Sequence, residues 1–363
     1  MNKKLYKIPV LVLSLFFVTG NAQNKICKDT SKSVLVYKIN KNDVSIVGIK
    51  SKEINEVCVP SEVIIGEYRY TVRKIEKNSF FNCTNLSKVT IPNSVDSIDF
   101  QAFHSCENLV EISIPSNVKY IGPYAFAYCK KMRNITVPNR VTNIDACVFT
   151  GCSSLQSISL PKYITSIGIR AFEGCENLIK VSIPNHVKVI GAKAFHNCKS
   201  LKKIKIPNSV TSVGEDAFSS CTSLLNVRIS ENLEFVDWST FYNCTNLKKI
   251  KIPNSVTSIK GRAFQGCTKL REAKLSNKMV DIGDAAFHEC KELNKINFPH
   301  SINSIGKLSF YNCVGLEKLV IPENVKSIGR KAFYGCNSLI IEVSNSTITR
   351  DDTFEGCKSI YRY

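Results

Sequence analysis

The chain has 363 residues, with 49 lysines and arginines against 30 aspartates and glutamates, a formal net charge of +19. Such a surplus bears on partners and not on fold: sulfated or sialylated glycans, acidic proteins, anionic lipid and nucleic acid are the candidates. Length alone would allow two or three globular domains, but beyond the first segment no stretch is long and apolar enough to span a bilayer.

The N-terminus opens with Lys3, Lys4 and Lys7, followed by an apolar run from Ile8 to Val18 and the small or polar Thr19-Gly20-Asn21-Ala22. That order predicts a secretory signal peptide over residues 1–22, cleaved after Ala22. Subtracting its three lysines from 49 basic residues leaves the exported chain at about +16. Residues 23–53 contain two alternating runs, Val34 to Tyr37 and Val44 to Val47, which predict a hairpin capping whatever follows. Two cysteines, Cys27 and Cys58, lie off the regular pattern described next. They either bridge or stand as two free thiols. An insertion from Ile64 to Val72 decorates the start of the repeats.

From there the chain repeats. Twelve phenylalanines, Phe80 to Phe333, and twelve cysteines, Cys83 to Cys336, each recur every 23 residues without a slip. Counted from each Phe the unit is F-x-x-C-x-x-L-x-x-I-x-I-P-x-x-V-x-x-I-G-x-x-A. The unit at Phe195 carries it in full: Cys198, Leu201, Ile204, Ile206, Pro207, Val210, Val213, Gly214 and Ala217. Alternation in the I-x-I stretch predicts a short strand, which Pro ends because it has no N–H for the ladder. Gly after the second inward Ile, replaced by Asp99, Asp145, Asp237 or Lys260 in some units, predicts a turn with positive φ. The A-F-x-x-C segment predicts a short helical or 3₁₀ turn opposite the strands. A single unit cannot offset the cost of ordering its own backbone, so the units must stack into one long parallel sheet over a continuous core. Cysteines repeated this way project in parallel, which suits buried thiols and makes poor disulfide geometry.

These recurring Phe, Cys, Leu, Ile, Pro and Gly positions resemble the BspA-like, or Treponema pallidum-type, leucine-rich repeat family, over roughly Ile54 to Cys357. The resemblance implies an α/β repeat solenoid, a right-handed superhelix with its parallel sheet on the concave face, and a repeat domain over residues 54–363 with a shortened last unit. It also implies a secreted or cell-surface protein of the adhesin kind, binding host or microbial macromolecules through that face.

A solenoid disperses equivalent residues along a line. His104, His196 and His288 follow the repeat Phe but stand four units apart, roughly 20 Å at one strand spacing per unit, too far to share a metal. No catalytic motif is present, so no enzyme activity, cofactor or metal site is expected. One run stands out. The seventh, eighth and tenth positions after Phe should be exposed on each strand. In the four units from Phe195 to Phe264 they hold nine cations, Lys202, Lys203, Lys205, Arg228, Lys248, Lys249, Lys251, Arg271 and Lys274, against one acid, Glu272. The run reads either as an anion-binding site for an extracellular protein or glycan or as a solvated face that blocks aggregation. A general polyanion binder is the alternative function; specific nucleic-acid recognition is not expected, because no aromatics interleave with the cations. Phe235 and Trp238 sit in the unit that has Ser230 in place of Pro and Thr240 in place of Ala. That irregular coil is expected to tuck Trp238 inward rather than offer it as an interface anchor.

Overall fold

A ring that recurs every 23 residues finds apolar cover only against the ring of the next unit, and the chain coils so that this happens. In a computed structural model, in which residues 34–363 are described, the twelve phenylalanines from Phe80 to Phe333 are all fully buried. They form one continuous stack with successive ring centroids 4.9–5.8 Å apart and planes within 12° of parallel. The predicted signal peptide, residues 1–22, lies outside the described residues, as does Cys27.

Beside the rings runs the cysteine column. Each thiol from Cys106 to Cys336 donates to the carbonyl of the Phe on the preceding coil, at 3.1–3.3 Å. All twelve are buried and free. They are core residues with one polar task.

The I-x-I stretches form the expected short parallel strands, such as Lys203–Lys205 beside Asn226–Arg228 and Lys249–Lys251 beside Glu272–Lys274. These make up a first row. They do not form one unbroken sheet, because the row is divided into ladders of two or three strands. The V-x-x-I stretch contributes a second row that the sequence reading did not foresee. Its strands have only two residues, as in Ser258–Ile259 and Asp281–Ile282, each isoleucine turned into the core.

Between the second row and the next first-row strand, the A-F-x-x-C segment was expected to be helical. No helix occurs among the described residues. Instead the N–H groups alternate in direction. Those of Asp216, Phe218 and Ser220 donate to Trp238, Thr240 and Tyr242 on the next coil, while those of Ala217, Ser219 and Cys221 donate back three residues. A helix would turn every N–H along its own axis and leave the coils unconnected here. The alternation places residues two before and two after each Phe at positive φ, for example Asp216 at 55° and Ser220 at 59°.

The expectation of positive φ at the unit's glycine is therefore misplaced: Gly122, Gly168, Gly191, Gly214, Gly283, Gly306 and Gly329 are absent from the left-handed region. Gly is needed there for close approach. A Cβ on Gly214 would stand 2.6 Å from the backbone nitrogen of Ala192, one coil back.

Leu35–Ile39 and Asp43–Ile49 make an antiparallel hairpin whose second strand pairs in parallel with Tyr68–Ile75, covering the open edge of the second row. The insertion is a second hairpin, Glu62–Ile65 against Tyr68–Ile75, turned at Gly66. At the other end the stack closes on Phe354, 5.9 Å from Phe333, and Ile340–Val343 pairs with Ser359–Arg362.

Candidate functional site

On a first-row strand the ninth residue after Phe points into the core, so the eighth and tenth must point out. Six of the nine predicted cations, Lys203, Lys205, Arg228, Lys249, Lys251 and Lys274, hold these outward positions, and Lys202, Lys248 and Arg271 sit at the seventh position just before the strands; all nine are exposed. The solenoid brings the tenth-position residues into one line. Lys205 stands opposite Arg228 and Lys251 opposite Lys274 in their ladders. Between Arg228 and Lys251 the ladder bonds stop, but the strands remain neighbours.

The columns differ in how their charge is balanced. Lys249 pairs with Glu272 at 2.8 Å, and Arg271 with Glu292 at 2.7 Å. The hydrogen bond from Lys249 holds the Glu272 carboxyl below its ordinary range. In the eighth column near the N-terminus Lys88 is likewise matched by Glu111 at 2.9 Å. The tenth column has no such partners. Among the described residues Lys205, Arg228, Lys251 and Lys274 make no ion pair, and neither do Lys202, Lys203 and Lys248 beside them. The acids that neutralise the eighth column could have been found in the sequence, since each follows its lysine by 23 residues and so lies directly across the ladder. The line of four ends at Ser182 on one side and Asn297 on the other.

Trp238 departs from expectation. It is 50% exposed, and Phe235 is 38% exposed. The indole lies against Gly261 on the next coil, where any Cβ would collide with it. Asp237 accepts the Trp238 backbone N–H at 2.8 Å, and the Lys260 ammonium sits 5.5 Å above the Phe235 ring. The signal that could have revealed this is the lone glycine at that position of the following unit.

His104, His196 and His288 are half-buried, while His186 and His300 are exposed. Burial pushes the His104 and His288 imidazoles down from their ordinary value. His104 stacks on Phe81 at 5.1 Å and meets the edge of Tyr128 at 5.4 Å, a ring cluster the repeat pattern concealed. No group of three or more His, Cys, Asp or Glu side chains among the described residues could hold a metal. Cys58 is disulfide-bonded, and every described cysteine other than Cys58 is free.

No protein of curated function matched the sequence. Among solved structures, the chain is similar to a leucine-rich cell surface protein of Faecalibacterium prausnitzii, with 28% identity, a TM-score of 0.63, and coverage of 94% of this chain and 95% of that one. It is also similar to a leucine-rich repeat protein of Bacteroides ovatus, with 25% identity, a TM-score of 0.62, and coverage of 92% and 90%. The family model described as the BspA type leucine-rich repeat region matches residues 60–179, 142–271 and 236–361. The chain belongs to the BspA-type leucine-rich repeat family.

Proposed function

We propose that this chain is exported and serves at or outside the cell surface as a non-enzymatic recognition module, holding another macromolecule against its first-row face between Lys202 and Lys274. The observation that carries the reading is the tenth-position column. Like charges placed across neighbouring strands destabilise a sheet, and here four are stacked without the acids that balance the column beside it. An anionic partner would remove that repulsion on binding. The basic and then apolar N-terminus and the likeness to a cell surface protein support export.

The test uses the exported form, expected to begin at Gln23, on an array of immobilised matrix proteins, mucins and sulfated glycans. Retention should fall as salt rises, because exposed charges are screened. It should be lost when Lys205, Arg228, Lys251 and Lys274 are all changed to Ser, with the fold intact. The total charge of +19 favours a second reading, general attraction to polyanions. In that case the fourfold variant would keep most of its retention, having lost only a small part of its cations. Retention identical to the parent would make the column a solvated face.

A further inference from the structure

We propose that the ligand of this face is a linear anionic polysaccharide lying along the solenoid axis, with one acid group over each of Lys205, Arg228, Lys251 and Lys274. The proposal rests on the recognition reading above and adds a chemical class, a direction and a length to it. The column has a fixed step, because each cation is delivered by one coil. Strand neighbours lie roughly 4.8 Å apart, so the four charges span roughly 14 Å. The core keeps the coils evenly spaced beneath them, with Phe195, Phe218, Phe241 and Phe264 following one another at 5.3, 5.6 and 5.5 Å.

That step discriminates among polyanions. An extended acidic peptide presents same-side carboxylates every two residues, about 6.7 Å, and leaves register with the column after two steps. Duplex nucleic acid advances about 3.4 Å per phosphate along one strand, also out of register. Single-stranded nucleic acid gains much of its affinity from bases stacked on aromatic rings. The outward positions of these four strands, Lys203, Lys205, Asn226, Arg228, Lys249, Lys251, Glu272 and Lys274, include no ring. A chain of pyranose units joined through equatorial bonds advances by about one coil step per ring and projects its acid groups to alternate edges of a ribbon; laid flat along the column it brings one acid to each coil, on the left and right in turn, within reach of the long, flexible lysine and arginine side chains. The neutral hydroxyl and amide at Ser182 and Asn297 set the ends of the site.

The experiment titrates size-defined β-1,4-linked mannuronate oligomers, which carry one carboxylate per ring, into the exported chain at low salt. Affinity should rise about twofold to fivefold for each ring up to four, the range for exposed ion pairs, and only slightly thereafter. Ser182 is exposed on the coil preceding Lys205. Ser182→Lys should therefore lengthen the column and move the break from four rings to five. Oligothymidylate and oligoglutamate of matched charge should bind more weakly and show no break. Affinity that climbs steadily with ligand charge, equally for all three polymers and unmoved by Ser182→Lys, would overturn the proposal in favour of general polyanion attraction. Mannuronate that fails to bind, while an array ligand is still lost in the fourfold Ser variant, would overturn the polysaccharide and leave the recognition face standing.

Discussion

A thiol at the third position after each Phe is small and apolar enough for the core and still carries a hydrogen to donate. Phe195 illustrates the need. Its carbonyl accepts the Cys198 N–H at 3.2 Å inside the turn and the Cys221 thiol at 3.3 Å from the next coil. Alanine would keep the packing class and forfeit the second bond; serine would donate but cost more to bury. Burial pushes the thiols of Cys152, Cys221 and Cys267 up to about 12 from an ordinary 9.0. A folded value above the unfolded one contributes stability that is intact below pH 9 and is lost as pH climbs toward 12. At pH 9, then, iodoacetamide should leave the ladder cysteines of the native chain unmodified, while the half-buried Cys357 reacts first. Non-reducing mass spectrometry of the same sample should find a single cross-linked pair, one member of which is Cys58. Label spread evenly along the ladder, or several ladder disulfides, would contradict the role given to these thiols. The ladder itself was readable from the sequence because its period never slips; its hydrogen bonds were not, because the acceptor lies 26 residues away on another coil.

At the level of the coil, two sorts of glycine must be separated. Gly174 has φ of 71°, and a Cβ there would meet nothing nearer than 3.7 Å, so only backbone strain is at stake. Gly214 has no such φ but lies 2.6 Å, at its missing Cβ, from the coil beneath. Gly174→Ala should cost about 1 kcal/mol, and Gly214→Ala about 2–3 kcal/mol as backbone is forced apart, both measured by urea unfolding. Equal losses would mean that one cause serves both sites. Asp99 and Asp145 show that a side chain can be accommodated at the Gly214 position, and so do Asp237 and Lys260. The last two adjoin the irregular coil, where Ser230 replaces Pro, Trp238 is displaced outward and a small apolar crevice opens between Ile206, Val213, Leu233 and Phe241. Strands were legible because alternation survives in three residues. The left-handed positions were not, since Gln101, Tyr124, Arg170, Lys193 and Leu308 carry no turn signature. Bonds to the next coil impose that backbone against local preference.

Over the whole molecule, what folds is the contact between one coil and the next, repeated. The basic column follows from this, for it exists only where equal spacing puts residues 23 apart side by side. The consequence can be tested by removing residues 219–241, one full period, which joins Phe218 to Tyr242 in the motif order that the intact chain has at Phe241-Tyr242. The ring stack, the thiol column and both strand rows then close over the gap, and the shortened chain should still unfold in one cooperative transition. Removing residues 219–235 deletes less of the chain but throws every later coil out of phase, turning core side chains to solvent, and should abolish that transition. The in-phase deletion also takes Arg228 and leaves Lys205, Lys251 and Lys274 on consecutive coils, so the mannuronate break should fall from four rings to three. A break that stays at four in the shortened chain would mean that the cations do not act as one column, and a folded out-of-phase deletion would mean that coil register is not what holds the solenoid together.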